Sequence, residues 1–238
     1  MNKRSGLYHV LAAICVSIGL ISLAFILKGT ALEIKSMERT VQVKGLAEQE
    51  VLADTVIWPL QFSDVDNNLE TLVSRVERKN AAVIAFLKLH GFDDAEITRG
   101  SQSIIDTQAR EYGSENKQFR YIVRANIIVY SNAPDKVKHA LGKVSQLAKQ
   151  NIAIVQDNYD TQVQYLFTGL NEIKPAMVQQ ATEKAREVAI KFAKDSDSKL
   201  GKIKTARQGQ FSISDRDSNT PQIKKVRVVT SIEYYLSD

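Results

Sequence analysis

The chain has 238 residues, 44% of them hydrophobic and 25% charged, a balance that excludes a disordered, collagen-like or disulfide-dense polypeptide. Its formal charge is +5, but Lys3 and Arg4 supply two of those units and residues 1–27 hold no acid. The remainder is therefore only +3, too mild to point to nucleic acid. The one cysteine, Cys15, lies in an apolar segment, which leaves the rest of the chain without a disulfide, a thiolate metal site or a cysteine nucleophile.

Residues 7–27 (LYHVLAAICVSIGLISLAFIL) carry no ionised side chain. At ~1.5 Å per residue this segment spans roughly 30 Å, the thickness of a bilayer's hydrocarbon core. The expectation is a cytoplasmic tail over 1–6, a transmembrane signal anchor over 7–27 and a polar stalk over 28–39. The tail is short and carries Lys3 and Arg4, so the larger part of the chain is expected on the far side of the membrane. The competing reading is a cleaved signal peptide, with Gly29 and Ala31 as the small residues at the cleavage site and a secreted product.

Val41–Gly45 reads as a brief strand. In Thr55–Phe62 the alternation places Val56, Trp58, Leu60 and Phe62 on one face. Pro59 has no N–H to donate, which predicts an edge strand or a bulge. Residues 67–90 form a helix by spacing, capped by Asp66 or Asn67 and ended by Gly91. Residues 96–105 and 119–130 read as strands around a polar loop, 106–118.

Pro134 opens a linking helix to about Gln150. Residues 155–167 read as a strand, and 172–199 as a helix with a narrow stripe of Met177, Ala181, Ala185, Val188, Ala189 and Phe192. Strands over 202–214 and 224–236 follow. In the last, Val226, Val228, Thr230, Ile232, Tyr234 and Leu236 share one face, and Lys225, Arg227 and Glu233 the other. The order strand, helix, strand, loop, strand occurs twice. This predicts an α+β domain over 40–238, built from two β-α-β-β lobes (about 40–133 and 151–238) with mainly antiparallel sheets.

The run Val41-Gln-Val43-Lys-Gly45-Leu-Ala-Glu, followed by Ala53-Asp54-Thr55, resembles the opening motif of the bacterial SIMPL-domain family. The exit Leu89-His-Gly91-Phe, the Ala-x-x-x-Ala spacing of Ala181–Ala193 and Leu200-Gly201-Lys-Ile carry the same resemblance. Where the family often has a second glycine this chain has Ala47. The resemblance implies an exported or envelope-anchored bacterial protein, from a family of uncharacterised function, prone to self-association and sometimes linked to stress tolerance. Together with the tail and anchor above, the expectation is a single-pass inner-membrane protein whose domain faces the periplasm. It carries over no catalytic residues.

The residues offer little chemistry. His9, His90 and His139 have no second histidine at ligand spacing, and Asp93-Asp94 and Asp215-Arg-Asp217 read as solvated turns. No nucleophile elbow, phosphate loop or dinucleotide fingerprint occurs. No catalytic, metal or cofactor residue is assigned, and no cofactor is expected.

Two weaker sites remain. Lys202, Lys204, Arg207, Lys224, Lys225 and Arg227 lie on the last two strands as a candidate basic stripe for a polyanion or phosphate headgroup. Ile57 and Pro59 mark a candidate self-association edge. The leading expectation is a membrane-anchored, non-enzymatic interaction or scaffold protein, homo-oligomeric, with nucleic acid disfavoured. The alternatives are an enzyme whose site converges only in three dimensions and the polyanion binder.

Overall fold

The computed structural model describes residues 16–28, 30, 39–109, 118–155 and 159–237. Residues 16–28 are helical (α1). The rest of the expected anchor, residues 7–15, lies outside the described residues, as do most of the stalk and residues 110–117 of the first polar loop. Among the described residues, no helix is long and apolar enough to cross a membrane.

The chain divides into two compact units. One holds Gln49–Lys174 and Ser212–Val226; the other holds the chain up to Glu48, Pro175–Phe211 and Arg227–Asp238. The first of these is built on β2 (Thr55–Asp66), α2 (Leu69–Leu89), β3 (Ile97–Arg99), β4 (Ser103–Asp106) and β5 (Tyr121–Ser131). Helices α3 (Pro134–Leu141) and α4 (Ser145–Ala148) follow, then β6 (Ile154–Val155) and β7 (Gln164–Leu166). Its sheet runs β3-β5-β2-β6, with β4 also on β5 and β7 also on β2, all antiparallel.

The core of this unit follows the alternation. Val56, Trp58, Leu60 and Phe62 of β2 meet Val123, Ala125, Ile127 and Val129 of β5 beneath Leu72, Val76, Val83 and Leu87 of α2. The α2 start is capped by Asn68, whose side chain accepts from Thr71 N at 3.0 Å; Asp66 instead accepts from Asn68 N. Gly91, at φ +83°, turns the chain out of the helix, and His90 Nδ1 sits 2.8 Å from Phe86 O.

Several expectations are corrected. The strand carrying Pro59 is interior, not an edge. Pro59 pairs with Ile128 of β5, and on the other side β7 takes residues 55–57 and β6 takes residues 61–62. The proline falls in the gap between those two short strands, where no donor is required. Ile57, placed between Tyr130 and Gln164, therefore marks no open edge. The expected strand 155–167 is two short pieces that serve β2, so it does not open the second lobe. The linking helix 134–150 is two helices, interrupted at residues 142–144, and the expected strand 96–105 is β3 and β4.

The second unit takes its sheet from β1 (Thr40–Leu52), β10 (Ile223–Ser237) and β8 (Lys199–Gln208), in the order β1-β10-β8. A further short strand, β9 (Ser212–Asp215), belongs to the first unit and also pairs with β10, whose first residues, up to Val226, lie in that unit. The chain's opening strand thus stands where 155–167 was expected, because sequence order does not dictate which strand fills a sheet position.

Helix α5 (Leu170–Asp195) covers the sheet of this unit. Met177, Ala181, Ala185, Ala189 and Ala193 are buried, whereas Val188 and Phe192 stay 37% and 55% exposed, so the packed stripe is narrower than expected. Its closeness to β1 is absolute at Gly45. A Cβ there would lie 1.8 Å from Ala181 O and 2.6 Å from Ala185 N.

Candidate functional site

Two places merit a functional reading, one in each unit. In the sheet β1-β10-β8, the terminal strand β8 has β10 as its sole strand partner among the described residues. Thr230 pairs with Gln208 and Leu236 with Leu200, and bulges after Glu233 and Tyr234 bend the edge. Beside it a groove of about 630 Å³ is lined by Arg186, Ile190, Leu200, Lys202, Ile203 and Tyr234. Ile190 and Ile203 are each 49% exposed. The groove exists because small alanines bring α5 down onto β1, leaving the larger side chains at its flank outside the packed layer.

In the other unit, Tyr165, Phe167, Ile213, Asp215 and Lys224 line a cavity of about 390 Å³. Tyr165 also borders a second space of about 240 Å³ with Asp135 and Lys138. Burial pushes the Tyr165 hydroxyl above its ordinary value. Lys224 is 8% exposed, because it continues the inward face of Val226 and Val228, and its ammonium is hydrogen-bonded to Asp215.

That inward position breaks up the expected basic stripe. Lys225 and Arg227 lie on the opposite face of β10 from Lys224. Lys204 donates to Glu233 at 3.2 Å, and Arg227 Nε lies 3.7 Å from Glu48. Lys202 and Arg207 are exposed on β8. Cations interleaved with carboxylates do not make a concentrated positive field, and the polyanion reading is not favoured.

Other carboxylates are engaged in hydrogen bonds and ion pairs. Asp54 lies at the start of α5; its carboxylate accepts from Thr168 N at 2.8 Å, Gly169 N at 3.0 Å and Thr55 Oγ1 at 2.9 Å. Asp64 accepts from Arg75 and pairs with Lys79, each at 2.8 Å. Burial raises its carboxyl, but those two cations outweigh that and hold it below its ordinary value. Glu96 accepts from Lys136 at 2.6 Å and Ser131 at 2.6 Å.

Asp217, in the turn between β9 and β10, accepts from the Thr220 hydroxyl, from Arg216 and from the backbone of Asn219 and Thr220, and is lowered to about 2. This hydrogen bonding organises the turn. His139 is exposed, and among the described residues no group of acids, histidines or cysteines is arranged to hold a metal.

Sequence reasoning missed Lys224 as an inward residue, although the alternation that turns Val226 inward places Lys224 on the same face. It also missed the contact of Gly45 with α5, for which the alanine spacing was the available signal. No curated protein matches the chain. The SIMPL family, described as a protein of unknown function (DUF541), matches over residues 41–233. That span takes in β1 and α5 with their Gly45–alanine contact and ends within β10, and the chain belongs to the SIMPL family.

Proposed function

We propose that this protein is a membrane-anchored, non-enzymatic envelope component that works by contact with further copies of itself, in the service of stress tolerance. The observation that carries the reading is the terminal strand β8 with its flanking half-exposed groove. A terminal strand leaves backbone donors and acceptors facing outward, and proteins either guard or use them.

Two β8 edges would set cation against cation, because the strand holds Lys199, Lys202, Lys204 and Arg207 and no acid, and of these Lys204 is offset by Glu233 of β10. The opposite terminal strand of the same sheet, β1, carries Glu48 and Glu50 beside one cation, Lys44, with Glu48 near Arg227 and Glu50 paired with Arg216. Pairing β8 of one copy with β1 of the next avoids that repulsion and extends the sheet head to tail, the heterologous geometry that gives rings or filaments.

Full-length protein in mild detergent is expected to be oligomeric by light scattering. Ile203→Lys, at the half-exposed wall of the groove, is expected to weaken association roughly tenfold or more with an unchanged circular dichroism spectrum, since an interface isoleucine contributes ~1.5–3 kcal/mol when buried. A strictly monomeric wild type would sink this reading. The anchor has its own test. The full chain should resist carbonate extraction from membranes, whereas a mature N-terminus near Leu32 would replace the anchor with a cleaved signal. The enzymatic alternative draws its support from the Asp215–Lys224 pair in its cavity.

A further inference from the structure

Lys224 and Asp215 are unequally placed. The lysine side chain is 10% exposed and the aspartate side chain 49%. A buried ammonium needs a carboxylate or several acceptors to offset its desolvation, and among the described residues its hydrogen-bond and ion-pair partner is Asp215. Asp215 ends β9, a four-residue strand exposed along its whole length, so its carboxylate can leave at little cost. The walls beside the ammonium are Tyr165, Leu166, Phe167 and Ile213. The volume, about 390 Å³, falls within the ~300–1,000 Å³ typical of small-molecule sites.

We propose that this cavity binds a small carboxylate with an apolar body, whose carboxylate replaces Asp215 on Lys224 Nζ while its hydrocarbon lies along Tyr165, Phe167 and Ile213. Asp215 then acts as the resident occupant of the anion position. Charge complementarity selects an anion, and the single buried ammonium selects one carboxylate rather than a polyanion. The apolar walls reject small hydrophilic anions such as formate, which gain nothing from them.

Full-length protein in nanodiscs, titrated with hexanoate and followed by ligand-observed NMR, tests the site. Saturable binding above that of empty nanodiscs is expected, with hexanamide, the neutral isostere, weaker by roughly tenfold or more because it lacks the charge-assisted hydrogen bond. Lys224→Met is expected to lose hexanoate binding by a similar factor. Asp215→Asn, which removes the competitor and keeps the shape, is expected to tighten it severalfold. Equal binding of acid and amide, no saturable binding, or no gain in Asp215→Asn would overturn the proposal. If Lys224→Met fails to fold, the Asp215→Asn comparison decides alone.

Discussion

Gly45→Ala is expected to destabilise the unit containing β1 and α5 by about 3 kcal/mol or more, near the upper end of overpacking costs. The new methyl would stand 1.8 Å from Ala181 O, 2.6 Å from Ala185 N and 2.9 Å from Ala181 C. All three are backbone atoms, so no rotamer change relieves the clash; the helix itself must lift from the sheet. Lifting α5 also loosens the contacts of Ala185 and Ala189 with Val43, Ile232 and Tyr234, which form the apolar core of this unit.

Thermal melting should register the change as a fall of about 6–12 °C, at ~2–4 °C per kcal/mol for a chain of this size. Gly142→Ala is the matched control. Gly142 has helical dihedrals (φ −63°, ψ −13°), and its added methyl meets nothing closer than 3.5 Å. That substitution should be neutral or stabilise by a few tenths of a kcal/mol. If the two alanine variants melt together, the close seating of α5 on β1 is wrong.

The second large effect is expected at Asp54. Asp54→Ala should cost about 2–3 kcal/mol, because it strips three hydrogen-bond donors of their acceptor, leaves Thr55 Oγ1 only its longer bond to Asn132 Oδ1, and removes a negative charge from the start of α5. The three donors are Thr168 N, Thr168 Oγ1 and Gly169 N, the backbone pair lying 2.8 and 3.0 Å from Oδ2. Asp54→Asn keeps one acceptor oxygen and should lose roughly half as much.

The effect must also depend on pH. Burial pushes the Asp54 carboxyl up, but hydrogen bonds from Thr168, Thr55 and Gly169 together outweigh it and hold the group below its ordinary value. A carboxyl depressed in the folded state stabilises fully above its unfolded value and loses that contribution as pH falls through the folded one. The gap between wild type and Asp54→Ala in urea denaturation should therefore be constant from pH 7 to about 5 and shrink below about 4. A gap unchanged down to pH 2 would mean that the carboxylate form contributes nothing.

Local pattern by itself determined much of this protein. The spacing of Leu72, Val76, Val83 and Leu87 specifies α2 and its buried face, and the alternation of Val226, Val228, Thr230, Ile232 and Tyr234 specifies the inward face of β10. Both follow from the backbone's own periods, 3.6 and 2, which need no knowledge of partners. The opening motif around Gly45 and the alanine spacing of α5 were equally legible, and they carried the family resemblance.

Only the tertiary structure decided which strands pair. It took β1 into the sheet with β8 and β10, and placed two fragments of 154–166 along β2, so that Pro59 lies inside a sheet and β8 stands at one end of the other. The reason is that hydrogen-bonding along a strand edge is the same for any sequence; the choice of partner comes from long-range packing, which leaves no periodic trace. The same holds for the candidate ligand site. The alternation turns Lys224 inward, but folding alone brings Asp215, Tyr165 and Phe167 to the cavity it lines.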